Sequence, residues 1–352
     1  MNYNIGCDAH KHYSQFAVLD IDGKLCRQVR VNHKRGAIQA FLSEYPEGTP
    51  VALESIGNWY WIVDEIEESG CEAHMAHAIR AKVMMGHIDK TDKLDARGLA
   101  VLLHNGTLPT VWIAPKEVRD ERELHRTRMA LCKLRTALKN RIHATLAKYN
   151  LSLPTRSDIF APKWQPDLAR VIRRLPPESG RCIQQELALL KAFQDQIEQM
   201  ETRLLQRVQT TKNMDLLQTM PGIGDILSLV IEREIGSIDR FPSAQHFASY
   251  AGTVPTTNAS GGKVRQGRMR KQANQYLKWA FVEAANVIVL QHNRPHWQAK
   301  HTVRLYKRIR RRKGHAIAVG AVARHLAEAA FWILTKQQSY QDPAARQVAK
   351  TR

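Results

Sequence analysis

The sequence predicts an α/β domain with a mixed sheet over the first third of the chain and mainly helical structure beyond it. Three observations lead there. Residues 3–32 alternate in short apolar and polar runs around Asp22-Gly23, a hairpin-turn pair, which is the period of strands. From Ile183 to Val208 apolar residues recur at threes, fours and sevens, the period of helices. Charge is also divided along the chain: residues 1–114 carry a net −3 and residues 263–313 a net +14, out of +20 in all.

Taken in order, residues 3–7, 15–20 and 24–32 read as three antiparallel strands, and residues 34–43 as a helix. Residues 50–54 give a fourth strand, 59–69 a helix and, after Gly70, 72–76 a fifth strand. In sheets of this kind ligands gather at strand ends and the following loops, where Asp8 and Glu54 fall. Asp92 and Asp95 stand three apart at the start of a further helix, so they share one face. Such a pair can grip a hard cation only with more oxygen ligands, and Asp8 and Glu54 are the evident suppliers. The same acids also suit a helix dipole, with Asp92 as N-cap. Asp89 adds more like charge than capping needs. The spacing of His74, His77 and His87 fits no metal motif, so these histidines are expected at the surface.

Residues 115–149 read as a basic helix with an apolar stripe of Leu124, Leu131, Leu134, Leu138, Ile142 and Leu146; Arg126 and Arg135 are candidate phosphate contacts. Pro154, Pro162, Pro166, Pro176 and Pro177 mark a connector with one short helix over 167–175. The long amphipathic helix after it suits either a coiled coil or an intramolecular hairpin with the basic helix. Next, Pro221-Gly222-Ile223-Gly224 resembles the turn of a helix-hairpin-helix, placing Gly222 and Gly224 as candidate DNA contacts. Ser260 stands in a glycine-bounded turn just before Lys263, Arg265, Arg268, Arg270 and Lys271. Lys300 to Lys313 holds eight Lys and Arg and no acid, a phosphate-binding strip that includes Arg308, Arg310, Arg311 and Arg312. An apolar helix over 315–337 and a loose tail end the chain.

At 352 residues and 43% hydrophobic content, the chain can bury two or three cores. A pI near 10.0 points to a polyanionic partner. Five scattered cysteines with no Cys-x-x-Cys argue against a disulfide framework or a zinc knuckle. No signal-peptide pattern opens the chain, and the longest apolar tract is broken by Arg324, His325 and Glu328. The expectation is no membrane span and a cytoplasmic location.

Asp8 on a first strand, Glu54 after a fourth, and Lys90-Thr91-Asp92-x-x-Asp95-Ala96 on a helix resemble the RuvC-like, RNase H-fold domain of the DEDD insertion-sequence transposases, which are bridge-RNA-guided serine recombinases. This resemblance covers roughly residues 3–150 and nominates Asp8, Glu54, Asp92 and Asp95 as ligands of divalent cations, Mg²⁺ or Mn²⁺. Residues 212–300, with Pro221-Gly222-Ile223-Gly224, Tyr250-Ala251-Gly252 and Ser260-Gly261, resemble the second transposase domain of the same family, whose nucleophilic serine matches Ser260. Where relatives often have Gly-Asn before the last helix, this chain has Ala273-Asn274, which puts a tight turn there in doubt.

The resemblance implies an RNase H-like catalytic domain over 1–114, a helical, coiled-coil-like connector over 115–211, a helical serine-containing domain over 212–340 and a tail over 341–352. It implies a transposase that excises and inserts its own insertion sequence, with donor and target DNA as substrates and a structured guide RNA as partner. It further implies a homo-oligomer, dimer or tetramer, in which the acids of one subunit meet the serine of another. Two alternatives stand beside it: a metal-dependent junction-resolving nuclease with water as nucleophile, and a non-catalytic nucleic-acid-binding protein.

Overall fold

The structure, a computed structural model, describes residues 3–86, 91–154, 158–207 and 210–343. His87, Asp89, Lys90 and Val208, all singled out above, lie outside the described residues, as does the tail from residue 344. Two compact units are present, residues 1–114 and 115–352.

The first unit is built on strands β1 (Asn4–Ala9), β2 (Tyr13–Leu19) and β3 (Leu25–Asn32), helix α1 (Ala37–Leu42), β4 (Pro50–Glu54), α2 (Trp59–Glu68), β5 (Glu72–Ala76), α3 (Ala78–Met85), α4 (Asp92–His104) and β6 (Thr110–Val111). The six strands run in the order β3-β2-β1-β4-β5-β6. β1 pairs antiparallel with β2 and parallel with β4, and β4 pairs parallel with β5. This mixed α/β architecture is the one that the alternating runs predict. The two-residue β6 and helix α3 are additions to that reading; a strand as short as β6 has no period to read.

One face of the sheet buries Ile5, Cys7, Phe16, Val51 and Leu53 against α1 and α2. The other face receives α4, and small residues decide how closely. A Cβ built on Gly6 would lie 2.0 Å from the Ala96 carbonyl oxygen and 2.6 Å from the Ala100 nitrogen. Only glycine on the strand, facing alanines on the helix, allows this approach. Gly6→Ala is therefore expected to push α4 off the sheet and cost about 1–3 kcal/mol, as overpacking does. Chemical denaturation checks this; an unchanged midpoint would show that α4 has slack.

The second unit opens with α5 (Lys116–Lys148), α6 (Gln165–Ile172) and α7 (Pro177–Arg207). α5 and α7 lie antiparallel: Arg128 meets Glu201, Arg135 donates to Gln194 at 2.7 Å, and Arg141 meets Glu186. Of the two arrangements the periodicity left open, the structure has the intramolecular hairpin. The apolar stripe is only part of what α5 buries. Its first half buries Arg119, Arg122 and His125 beside Met129, while Leu134 is exposed.

Helices α8 (Lys212–Gln218), α9 (Asp225–Ile235) and α10 (Ala244–Tyr250) follow, then a hairpin of β7 (Pro255–Ser260) and β8 (Lys263–Met269), and α11 (Gln275–Leu290), α12 (Pro295–Gln298), α13 (His301–Lys313) and α14 (His315–Lys336). α14 is long and apolar enough to cross a membrane by length and composition, but 61% of its apolar window is buried. Val322, Ala323, Leu326 and Ala330 lie in one core with Leu217, Phe247 and Phe281, so α14 is a core helix. The start of the expected loose tail is pinned: the Tyr340 N–H donates to Thr219 Oγ1 at 2.8 Å, and both Asp342 carboxylate oxygens accept from the His301 N–H at 3.0 Å.

Candidate functional site

Asp8 and Glu54 are placed by strand register. Gly6 pairs with Ala52 and Cys7 with Leu53 across the parallel β1–β4 ladder, so Asp8 and Glu54 take the next neighbouring positions. Alternation then gives their direction. Gly6 and Ala52 face α4, and residues two further along each strand face the same way.

α4 begins at Asp92, and its N-cap is Thr91, whose hydroxyl accepts from the Leu94 N–H at 3.3 Å. Asp92 is thus not the cap, and its carboxylate is committed elsewhere. It accepts a 2.6 Å hydrogen bond from the Tyr13 hydroxyl and lies 3.2 Å from His10 Nε2. The same His10 nitrogen hydrogen-bonds Asp8 Oδ2 at 3.1 Å. One ligand atom from each of Asp8, His10 and Asp92 lies within 4.8 Å of the others. Among the described residues, Glu54 and Asp95 are not in this tight group.

Asp95 makes itself felt through charge. The Asp8 pKa is raised to about 6: burial is the largest cause, the pull of His10 opposes it, and repulsion from Asp95 and Asp92 adds to the rise. The fit to a divalent cation is good on both counts: the donors are hard oxygens plus an imidazole, and the negative charge at Asp8 is under-compensated.

A pH dependence follows. Because the folded pKa of Asp8 lies above its ordinary 3.8, the metal-free protein loses stability as pH rises from about 4 to about 6. A bound cation offsets that loss only where Asp8 is ionised. Mg²⁺ or Mn²⁺ should therefore raise the melting temperature more at about pH 7.5 than at about pH 5, and Asp8→Asn should abolish the difference. Equal shifts at both pH values in the parent would contradict this.

The positions of His10 and Tyr13 are set by their surroundings. The His10 carbonyl accepts from Asn58 Nδ2 at 3.0 Å, its N–H donates to the Tyr13 carbonyl at 2.8 Å, and the two rings lie 4.7 Å apart. The Arg30 guanidinium sits 3.7 Å over the Tyr13 ring. Neither His10 nor Tyr13 is among the residues that the sequence reading singles out. Two residues beyond Asp8, His10 was findable, since positions two apart on an extended strand share a face. Of the histidines considered from the sequence, His74 lies 3.4 Å from Glu72 instead.

In the second unit Ser260 closes β7 and is exposed, paired in register with Lys263. Gly261 and Gly262, with φ of 56° and 73°, make the two-residue turn that such a hairpin requires. The glycine-bounded turn is therefore the tip of a hairpin. Its solvent-facing strands offered no apolar alternation to read. Lys263, Arg265, Arg268, Arg270 and Lys271 are exposed along and just after β8. At Ala273-Asn274 no positive φ occurs. Instead Asn274 Oδ1 caps α11 by accepting from the Tyr276 and Leu277 N–H groups, each at 3.0 Å.

The candidate nucleic-acid contacts fall into two groups. Arg308, Arg311 and Arg312 are exposed on α13 away from the face that buries Val303 and Tyr306, and Arg310, also exposed, lies one turn beyond Tyr306 with its guanidinium 5.8 Å from that ring. Arg126 and Arg135 are instead engaged within the unit. Arg126 holds Glu234 with two bonds of 2.8 and 2.9 Å and lies over the Tyr276 ring, and Arg135 donates to Gln194. Gly222, at φ 83°, is pressed against α11, where a Cβ would meet the Ala284 carbonyl oxygen at 2.5 Å; nothing lies within 4 Å of a Cβ on Gly224, the N-cap of α9. This packing and the positive φ are enough to require glycine at 222.

Replacing Arg308, Arg311 and Arg312 together with Ala should lower DNA affinity and reduce the slope of log K against log salt by roughly one for each phosphate no longer neutralised. An unchanged slope would remove the strip from the interface.

Comparison with known proteins gives two matches along the chain. Residues 5–151 match a family profile described as a transposase, of the DEDD type found in IS110 elements, and residues 214–302 match the profile described as Transposase IS116/IS110/IS902 family. Among curated proteins the chain is similar to a probable family 20 transposase of Pseudomonas aeruginosa, 24% identical over 81% of this chain and 80% of that protein. It is 23% identical to the transposase for insertion sequence element IS1328 of Yersinia enterocolitica, over 74% of this chain and 76% of the relative. It is 25% identical to the transposase for IS1111A of Coxiella burnetii, over 72% and 68%.

Proposed function

Since the chain belongs to the IS116/IS110/IS902 transposase family and carries a DEDD-type domain, we propose that it excises and inserts its own insertion sequence by serine recombination, directed by a structured RNA. The family's work is DNA cleavage and strand transfer, and the DEDD-type domain points to divalent-metal use. The observation that carries the reading is the placement of Asp8 and Glu54 at neighbouring ends of two parallel strands, on the face where α4 brings Asp92 to His10 and Asp8.

Asp8, Glu54, Asp92 and Asp95 would hold the cation, which when bound neutralises charge developing on phosphate oxygens. Ser260 supplies the nucleophile. Its Oγ bonds to phosphorus while the sugar oxygen of the cut strand departs with the bonding pair and a proton, and the serine proton passes to solvent. One phosphate ester replaces another, so the bond energy is kept for rejoining. The exposed position of Ser260 at a hairpin tip suits attack on a large substrate, and the neighbouring Lys263 and Arg265 suit a phosphate backbone. Mg²⁺ or Mn²⁺ fits the acids, and the exposed bases of α13 suit donor and target DNA or a guide RNA. A dimer or tetramer, with acids and serine contributed by different subunits, completes the reading.

The test is an excision assay on a plasmid-borne element with its flanking sequence. Asp8→Asn combined with Asp92→Asn should abolish excision and leave DNA binding within a few-fold of the parent. Unimpaired excision would end the proposal.

A further inference from the structure

Resting on the metal-site reading above and deepening it, we propose that His10 is itself a direct ligand of the divalent cation, through Nε2, and that this nitrogen tilts the site from Mg²⁺ toward Mn²⁺. The four acids alone make an all-oxygen site, which suits Mg²⁺.

Geometry is the first ground. His10 Nε2 stands 3.1 Å from Asp8 Oδ2 and 3.2 Å from Asp92 Oδ2. Adjacent ligand atoms around a six-coordinate ion with bonds of about 2.1 Å are separated by about 3 Å, so both contacts have the length of a shared coordination edge. The second ground is hydrogen-bond arithmetic. The Nε2 atom carries at most one proton, and a single N–H cannot direct a full bond to two carboxylates at once. A lone pair on a cation lying between the carboxylates serves all three groups together.

The third ground is preorganisation. The ring lies tilted against that of Tyr13, whose hydroxyl binds Asp92, and its backbone is tied to Asn58 and Tyr13, so the nitrogen is aimed without needing the ion. Imidazole is a better partner for the later first-row metals than for Mg²⁺, which takes oxygen donors. Mn²⁺ accepts both.

The experiment loads full-length protein with Mn²⁺ alone and reads electron spin echo envelope modulation, which detects nitrogen-14 bonded to manganese. The parent should show a histidine nitrogen coupling that disappears in His10→Ala and His10→Gln and survives in His12→Gln and His33→Gln. Calorimetric titration should show His10→Gln, in protein with an unchanged circular dichroism spectrum, weakening Mn²⁺ by at least the roughly tenfold that even an outer-shell partner is worth. Mg²⁺ should weaken less. Mn²⁺ binding without nitrogen coupling, or with a coupling that persists in His10→Gln, overturns the ligand assignment and leaves the acid site standing, provided Asp8→Asn removes the binding. Failure of the parent to bind Mn²⁺ overturns both.

Discussion

Ser260→Ala is expected to abolish the covalent protein–DNA adduct and recombination outright, while DNA binding stays close to that of the parent. The hydroxyl is exposed at the end of β7, so its removal leaves no cavity and breaks no core contact. The turn beyond it is set by Gly261 and Gly262, whose positive φ does not depend on residue 260. A folding defect is therefore a poor explanation for lost activity in this variant. A denaturing gel with end-labelled DNA reads the adduct directly. If Ser260→Ala still cut DNA with no adduct in either protein, water would be the nucleophile, and the junction-nuclease alternative would take over with the acid site unchanged.

The largest stability effect belongs to a residue of no catalytic standing, Glu234. It stands in the last turn of α9 with its side chain fully buried and accepts from His125 Nε2 at 2.8 Å, from Arg126 at 2.8 and 2.9 Å, and from Asn274 Nδ2 at 2.8 Å. Arg122 lies 3.7 Å away and donates through Nε and Nη2 to the Arg233 and Glu234 carbonyls, the open end of α9. Burial alone would raise the Glu234 pKa, but the hydrogen bonds from His125 and Arg126 and the nearby arginine charges hold it well below the usual carboxylate range. Glu234→Ala strands these cations without a counter-charge and is expected to cost about 3–5 kcal/mol.

The same node caps α11 through Asn274, just after the hairpin that carries Ser260, so recombination should fall with stability. Glu234→Gln keeps the shape and should cost less than Glu234→Ala. Because the folded pKa is depressed, this contribution is present above about pH 4.5 and is lost as pH falls below it. Urea denaturation measures both variants. A Glu234→Ala midpoint within a few tenths of a kcal/mol of the parent would show that the cations find other partners.

The node also shows why part of the chain is hard to read from sequence. A lone arginine on a helix looks the same in sequence whether it faces phosphate or a buried acid, and Arg126 meets its acid 108 residues away. The β7–β8 hairpin escapes a sequence reading for a related reason: its described side chains are exposed apart from the half-buried Pro255 and Met269, so the alternation that betrays a half-buried strand is not needed. Where burial did impose a period, as in β1 to β5 and along α7, strands and helices fall close to where the pattern puts them.

By itself the sequence determined the elements of the mixed sheet and long helices, the charge that calls for nucleic acid, and the residue types able to hold a cation. All of these are properties of neighbours along the chain. Tertiary structure alone decided which side chains meet: that His10 stands between Asp8 and Asp92, that Gly6 lets α4 close on the sheet, and that Glu234 draws in three bases from α5. Those meetings depend on strand register and on the depth of one glycine contact. Neither leaves a periodic mark, because distances across a fold are set by packing between segments remote in sequence.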